Sequence, residues 1–323
     1  MKKILGMGNA LVDIMIRLED DHILDQLGLP KGSMQLVDAV QSQAVLKKFE
    51  NYPKSFSAGG SAANTIHGLA MLGAPVGYIG VIGEDELGGS FVKDMINAGV
   101  EPHMIHSRQD TGRAIALISH DSERTFATYL GAAIELEADH LPTFNFKKYD
   151  YLHIEGYLVQ NHDLIRTAVS LAKENGLTVS LDLASYNVVE ANLDFLREIV
   201  TKYVDVVFAN EEEAKAFTGK EPGKALDEIA GMARIAIVKT GSKGSLIKSG
   251  NEIVEIGVIS VTPVDTTGAG DLYASGFLYG QSKDWSLKKC GETGALLAGH
   301  VIEVIGSKME ADKWIAIRNM ITE

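Results

Sequence analysis

Asp265-Thr266-Thr267-Gly268-Ala269-Gly270-Asp271 runs directly into Leu272, Tyr273, Ala274, Gly276, Phe277 and Leu278. A Gly-Ala-Gly turn that opens a helix leaves several backbone N–H groups without intrahelical acceptors. It points them, with the positive end of the helix dipole, at one place. That place is an anion site. Asp271 falls in the first helical turn, where its charge would repel a phosphate if holding phosphate were the only task. The conflict disappears if Asp271 takes the proton of a hydroxyl that attacks the phosphate. Gly268, Ala269, Gly270 and Asp271 are therefore the candidate catalytic group.

Upstream of this turn, short apolar runs alternate with amphipathic segments. Val76–Ile82, Tyr151–Ile154, Leu177–Leu181, Val204–Phe208 and Ile235–Val238 read as buried strands. Asp163–Asn175 and Glu211–Phe217 read as helices, each closed by a glycine, Gly176 or Gly219. This alternation predicts an α/β fold, a doubly wound and mostly parallel sheet with right-handed helical crossovers. Two regions, 11–37 and 108–130, show a period of two instead. In the second, Arg113–Ser119 and Arg124–Leu130 flank the polar turn His120, Asp121, Ser122 and Glu123, which is a hairpin signal. Strands without a covering helix suit a small β lid over a cleft, and the alternative is an edge extension of the main sheet. The expected division is a large α/β domain built from 1–10, 38–107 and 131–323, with a lid built from 11–37 and 108–130.

Composition narrows the partners. The 323 residues are 46% hydrophobic and 23% charged, enough to bury a large core without a metal or disulfide staple. A formal net charge of -13 argues against nucleic acid, whose binding runs on clustered Lys and Arg. The single cysteine, Cys290, excludes an internal disulfide and fits a reducing compartment. Lys2 and Lys3 precede an apolar stretch, but Asn9 and Asp13 interrupt it, so it reads as a first strand and not a signal peptide. No apolar run reaches bilayer length. The expectation is a soluble cytoplasmic protein, monomer or homodimer, acting on a small molecule.

The segment Asp265–Asp271 resembles the carboxyl-terminal signature of the ribokinase-like (PfkB) kinases, and further matches lie upstream in the order that family shows. Ala58-Gly59-Gly60-Ser61-Ala62-Ala63-Asn64 is similar to its amino-terminal signature, and Gly80–Gly88 to the segment that follows. Paired glycines let a substrate approach the backbone, and Ser61 and Asn64 can bond to hydroxyls, so Gly59, Gly60, Ser61 and Asn64 are candidate substrate contacts. Asn210-Glu211-Glu212-Glu213 resembles the N-x-x-E element, which implies that Asn210 and Glu213 organise magnesium, Glu213 through water. Lys239-Thr240-Gly241-Ser242-Lys243-Gly244 resembles the nucleotide-binding turn and lacks Walker spacing. The resemblance thus implies ATP and Mg²⁺, with Thr240, Gly241, Gly244, Thr266 and Ala295 beside the nucleotide. Many relatives carry His or Asn where this chain has Ala295. A potassium-type monovalent cation at carbonyls of Ile259, Ile302 and Gly306 also follows from the resemblance.

Within the family, the opening Gly6-Met7-Gly8-Asn9-Ala10-Leu11-Val12-Asp13-Ile14 is similar to that of adenosine kinase and its bacterial relatives. That implies substrate roles for Asn9 near a base, Asp13 on ribose hydroxyls and Gln35 beside the base. Arg124 resembles the lid arginine that reaches the phosphates, the alternative being a solvated turn charge. The expected reaction is phosphoryl transfer from ATP to a hydroxymethyl group, adenosine to AMP, with a sugar kinase acting on ribose or fructose as the alternative. A dinucleotide oxidoreductase fails because Leu11 stands at the third glycine position after Gly6-Met7-Gly8. A nucleotide sensor would have no need of Asp271.

Overall fold

The computed structural model describes residues 1–121 and 123–322. In chain order its strands are β1 (Ile4–Met7), β2 (Leu11–Arg17), β3 (Met34–Leu36), β4 (Lys54–Gly59), β5 (Val76–Gly83), β6 (Val100–Ser107) and β7 (Gly112–Ile118). These are followed by β8 (Arg124–Tyr129), β9 (Tyr151–Glu155), β10 (Thr178–Asp182), β11 (Val206–Asn210), β12 (Ile235–Lys239), β13 (Ser245–Ser249) and β14 (Glu252–Ile256). Nine of them form one sheet in the order β14-β13-β12-β11-β10-β9-β1-β5-β6. It is parallel from β6 to β12, and β13 and β14 add antiparallel at one edge. The fold is therefore α/β, with a large, mostly parallel sheet and a smaller second sheet.

The side-chain alternation of a strand separates two cores across the large sheet. Val206 and Phe208 of β11 and Ile235 and Ile237 of β12 join one; Val207, Ala209, Ala236 and Val238 join the other. The first core is covered by the helices Ser61–Met71, Ala269–Ser282, Leu287–Val301 and Ala311–Thr322, and the second by His162–Glu174, Leu193–Tyr203, Glu211–Thr218 and Pro222–Met232. Local chemistry sets their ends. Asn161 caps the helix His162–Glu174 by accepting from Leu164 N–H at 3.1 Å, and Gly219, with φ 72°, closes Glu211–Thr218. Phe277 and Leu272 of the helix Ala269–Ser282 are fully buried. Burial of each contributes on the order of 2 kcal/mol, so the helix that carries Asp271 is firmly seated.

The small sheet has the order β3-β8-β7-β2-β4. Both regions with two-residue periodicity contribute, and β7 and β8 form the hairpin; Ser122 of its turn lies outside the described residues. One boundary is corrected: β4, placed above in the large domain, pairs antiparallel with β2 from Leu11↔Gly59 to Ile16↔Lys54. The helix Ala39–Lys48 also belongs with this sheet, where Ser42 Oγ accepts from Arg113 Nε at 2.7 Å. The alternation of β4 is short, only Phe56 and Ala58 against Ser55 and Ser57, too little to mark a strand of the small sheet. Edge position explains the relaxed pattern, since Phe56 remains 51% exposed.

Candidate active site

A cavity of about 1450 Å³ lies between the small sheet and the carboxyl ends of the parallel strands, where open α/β sheets bind ligands. Glu155 ends β9, Asp182 ends β10, Asn210 ends β11 and Lys239 ends β12, and each lines it.

Two helix N-termini meet at its centre. Gly268 is the cap of the helix Ala269–Ser282, with φ 75°. An added Cβ there would stand 2.8 Å from Ser307 Cβ, so the left-handed turn admits glycine alone without strain. Ala269 N–H bonds back to Thr266 O at 3.2 Å, while the N–H groups of Gly270 and Asp271 have no acceptor among the described residues. Gly270 and Asp271 line the cavity, and free N–H groups at a helix N-terminus are donors that can hold an anion. From the opposing helix, Ser61 Oγ donates to Asp271 Oδ1 at 2.7 Å and Asn64 Nδ2 to Oδ2 at 3.0 Å. Burial pushes the Asp271 carboxyl up to about 6 against the pull of those two donors, and Asp182 pushes the same way while Lys239 opposes it. Such a carboxylate is ionised at neutral pH yet basic enough to accept a proton. Asn64 is held in turn by Ser307 Oγ, which donates to its Oδ1 at 2.8 Å.

Carboxylates brace the frame. Glu155 accepts from Asn9 N at 2.9 Å, Asn9 Nδ2 at 2.6 Å and Ala62 N at 2.9 Å. Asn9 lies between β1 and β2, and Ala62 just beyond β4, so Glu155 ties together two of the chain crossings between the sheets. Burial pushes its carboxyl up to about 7. Lys239 Nζ donates to Asp182 Oδ2 at 3.0 Å, and an added Cβ on Gly270 would approach that Nζ to 3.1 Å. The ammonium therefore sits beside the anion hole. Sequence reading passes over Asp182, takes Lys239 only as the start of the nucleotide-binding turn and Glu155 only as part of a segment similar to the adenosine-kinase subgroup. The available signal was a polar residue closing an apolar strand run, which marks the ligand end of a parallel sheet.

On the small sheet, Leu11 and Asp13 of β2, Ala114 of β7, Phe126 and Thr128 of β8, and Met34 and Leu36 of β3 share the face toward the cavity. Asp13 accepts no hydrogen bond among the described residues, and burial pushes it up to about 6. Gly59 does not line the cavity; it sits against Asp13, where an added Cβ would come within 2.3 Å of the carboxylate. Gly60 lines the cavity with φ 97°, beside the Asn9 carbonyl. Gln35 is a correction. It stands between Met34 and Leu36 on β3, so strand alternation turns it to the other face, where its Nε2 reaches Ser33 Oγ at 3.3 Å.

The other end of the cavity is apolar, walled by Val258, Val261, Pro263, Ala295, Ala298 and Ile302, with Gly241, Gly244 and Thr266 beside it. Thr240 does not reach the cavity: its Oγ1 and N–H both bond to Gly244 O and shape the turn. Asn210 and Glu213 satisfy each other in a capping box: Glu213 Oε1 and Oε2 accept from Asn210 Nδ2 and N at 2.7 and 2.8 Å, and Asn210 Oδ1 accepts from Glu213 N at 2.8 Å. Burial and the neighbouring Asp182 raise the Glu213 carboxyl. Among the described residues no three His, Cys, Asp or Glu side chains cluster to hold a metal. Magnesium commonly keeps water and phosphate oxygens as ligands and does not require such a cluster. For the monovalent cation, the Ile302 carbonyl already accepts from Val264 and Asp265 N–H at 2.7 and 3.1 Å. Arg124 is not a solvated turn charge: its side chain is 10% exposed, pairs with Asp265 and donates to Thr267 Oγ1 at 2.5 Å. It therefore ties the small sheet to the Asp265–Asp271 loop and does not line the cavity.

Comparison with known proteins agrees with this geometry. Residues 34–313 match the model of the pfkB family carbohydrate kinases. The structure superposes on the adenosine kinase of Sinorhizobium meliloti with a TM-score of 0.88, 34% identity and 99% of both chains covered. It superposes on a probable sugar kinase of Rhizobium etli CFN 42 with 0.87, 33% identity and 99% of both chains. The adenosine kinase of Saccharomyces cerevisiae is 30% identical over 95% of this chain and 96% of its own. No helix among the described residues is long and apolar enough to cross a membrane. A helix N-terminus with free donors, a buried carboxylate in its first turn and a family match across most of the chain converge: this protein belongs to the pfkB family of carbohydrate kinases and is a phosphotransferase with an alcohol group as acceptor.

Proposed function

We propose that the chain transfers the γ-phosphate of ATP to the 5′-hydroxymethyl group of adenosine, giving AMP and ADP in the cytoplasm. The observation that carries the acceptor is the small-sheet face. A carboxylate that accepts no hydrogen bond among the described residues, Asp13, is set there among Leu11, Met34, Leu36 and Phe126. The carboxylate suits two vicinal ribose hydroxyls. The apolar surface suits a purine, and a free sugar would leave it wet. The small sheet then works as a lid.

Asp271 takes the proton of the 5′-hydroxyl as the new O–P bond forms and the bond to the β-phosphate oxygen breaks, so the electron pair leaves with ADP. The N–H groups of Gly270 and Asp271 hold the transferring phosphate, and Lys239 adds positive charge beside it. Magnesium, when bound, supplies further neutralisation of the phosphates, with Asn210 and Glu213 placed to orient its waters. Adenine lies along Ala295, Ala298 and Ile302 by apolar contact. With the lid over the cleft, water is excluded and ATP hydrolysis without acceptor is slow.

A sugar kinase is the second reading, favoured by the 33% identity to the probable sugar kinase of Rhizobium etli. The test is ATP turnover against adenosine, inosine, ribose and fructose, with AMP formation followed directly. Phosphorylation of ribose or fructose with no adenosine turnover moves the acceptor to the second reading.

A further inference from the structure

The helix that steadies the Asp271 carboxylate also grips the backbone of the same residue. Ser61, Asn64, Thr65 and Gly68 fall on one side of the helix Ser61–Met71, by their spacing of three and four residues. Ser61 and Asn64 bond to the two carboxylate oxygens. Next to Asn64, Thr65 Oγ1 donates to the backbone carbonyl of Asp271 at 3.1 Å, across 206 positions of chain. Ser275, one turn beyond Asp271, has its Oγ 2.8 Å from the Thr65 carbonyl and 3.0 Å from that of Asp271. A hydroxyl carries one proton, and the shorter contact assigns it to the Thr65 carbonyl. Each of the two hydroxyls thus donates to a carbonyl of the opposite helix. Thr65 is 1% exposed and Ser275 0%, so water cannot replace either bond. Gly68 lets the helices come this close, since an added Cβ there would stand 2.5 Å from Ser275 Oγ and 2.8 Å from Leu272 Cδ1.

A serine that bonds to the carbonyl four residues back is a common helix habit, and the Ser275–Asp271 contact is of that kind. The Thr65 bond has no such local origin. A neutral hydrogen bond of this type adds little net stability, but it fixes a distance and a direction that apolar packing leaves free to slide. The chain path gives a reason to fix them. β4 of the small sheet runs through Gly60, with φ 97°, directly into the helix Ser61–Met71, so any displacement of the small sheet reaches Ser61 and Asn64 first. Those two side chains hold the Asp271 carboxylate and would draw it along. Bonding the Asp271 peptide to Thr65, one residue beyond Asn64, makes the carboxylate and its two donors one rigid unit.

We propose that Thr65 and Ser275 are positioning residues for phosphoryl transfer: their reciprocal bonds lock the register of the two helices, so that the Asp271 carboxylate stays fixed against the attacking hydroxyl. This rests on the base role given to Asp271 above. Neither Thr65 nor Ser275 lines the cavity, so neither touches substrate or phosphate. A displacement of about 1 Å at reacting atoms costs on the order of 10²-fold in rate. Substrate binding is made by other residues, so the effect belongs in kcat.

The test is steady-state kinetics of the whole protein, well below its unfolding midpoint, with whichever of adenosine, ribose or fructose the wild type phosphorylates. Thr65→Val keeps the shape and removes the donor. It should lower kcat about 5- to 30-fold with both KM values held within about 2-fold, whereas Thr65→Ser, which keeps the hydroxyl, should stay within about 3-fold of the wild-type kcat. A purely structural role predicts the reverse order, because Val fills the space and Ser leaves a methyl-sized gap. Unchanged kcat in Thr65→Val, or a greater loss in Thr65→Ser than in Thr65→Val, overturns the proposal. Asp271→Asn separates this idea from the one beneath it. If Asp271→Asn leaves kcat unaltered, the base role falls and the positioning role falls with it. If Asp271→Asn lowers kcat, Thr65→Val should cost no more than about 2-fold in that background. An equal cost in both backgrounds removes the positioning role and leaves the base role standing. Should Thr65→Val fail to fold, Ser275→Ala removes the other half of the pair and should lower kcat about 3- to 10-fold; an unchanged kcat there overturns the proposal.

Discussion

Ser61 Oγ donates to Asp271 Oδ1 at 2.7 Å, joining residues 210 positions apart in the chain. The first residue of one helix thereby steadies the carboxylate in the first turn of another, and the two glycine-rich motifs become one site. Asp271→Asn should cost on the order of 10²–10⁴ in kcat with little change in the KM for ATP. Because burial pushes the carboxyl up to about 6, kcat should rise with pH through that region and level off above it. Ser61→Ala removes a donor that favours the anion, so the inflection should move to higher pH. A pH profile of kcat for the wild type and Ser61→Ala checks both statements, and unchanged turnover in Asp271→Asn would remove the base from its role.

Gly268 and Gly270 should respond differently to alanine. At Gly268 the backbone has φ 75° and the new Cβ meets Ser307 Cβ at 2.8 Å, both on fixed structure. Gly268→Ala should lose about 1–2 kcal/mol of stability from the left-handed backbone and lower kcat through the distorted anion hole. At Gly270 the nearest atom is the mobile end of Lys239, 3.1 Å from the new Cβ. Gly270→Ala should therefore fold normally and weaken phosphate handling modestly. Denaturant unfolding beside steady-state kinetics separates the two, and equal destabilisation would contradict the geometry.

Asp13→Ala should lose roughly 2–4 kcal/mol of transition-state binding for adenosine, since charge-assisted hydrogen bonds contribute ~1.5–3 kcal/mol each and water replaces part of them. 2′-Deoxyadenosine should already be a poor substrate of the wild type and lose much less on mutation. Comparing kcat/KM for the two nucleosides in both proteins is the measurement. Equal proportional losses would detach Asp13 from the hydroxyls.

Glu155 links stability to pH. Burial raises its carboxyl from the ordinary value near 4.5 to about 7 in the folded protein, so the folded state binds the proton more tightly than the unfolded chain. Its contribution is fully present below pH 4.5 and is lost as pH rises through 7. Glu155→Gln cannot titrate. The unfolding free energy of the wild type minus that of Glu155→Gln should therefore be larger at pH 5 than at pH 8, as read from urea transitions at both pH values. A difference that grows with pH would show that the Asn9 and Ala62 donors outweigh burial.

How far the sequence reached depends on the range of the forces involved. The parallel strands, the closed helices and the Asp265–Asp271 turn rest on local chemistry: apolar runs of strand length, Gly176 and Gly219 at helix ends, and glycine where φ is positive. All were legible from residue order alone. Tertiary structure decided whatever depends on which face or which distant neighbour a side chain meets. The register of β3 turned Gln35 away and brought Met34 and Leu36 to the cavity, because a strand shows alternate residues to opposite sides. The edge strand β4 carries only the short alternation of Phe56 and Ala58, so its pairing with β2 appeared only in the folded sheet. Glu155, Lys239 and the Arg124–Asp265 pair gained their meaning from burial. A carboxylate or ammonium reads as solvated in a sequence, and only packing reveals that water has been removed and that its charge must be answered by a partner far away in the chain.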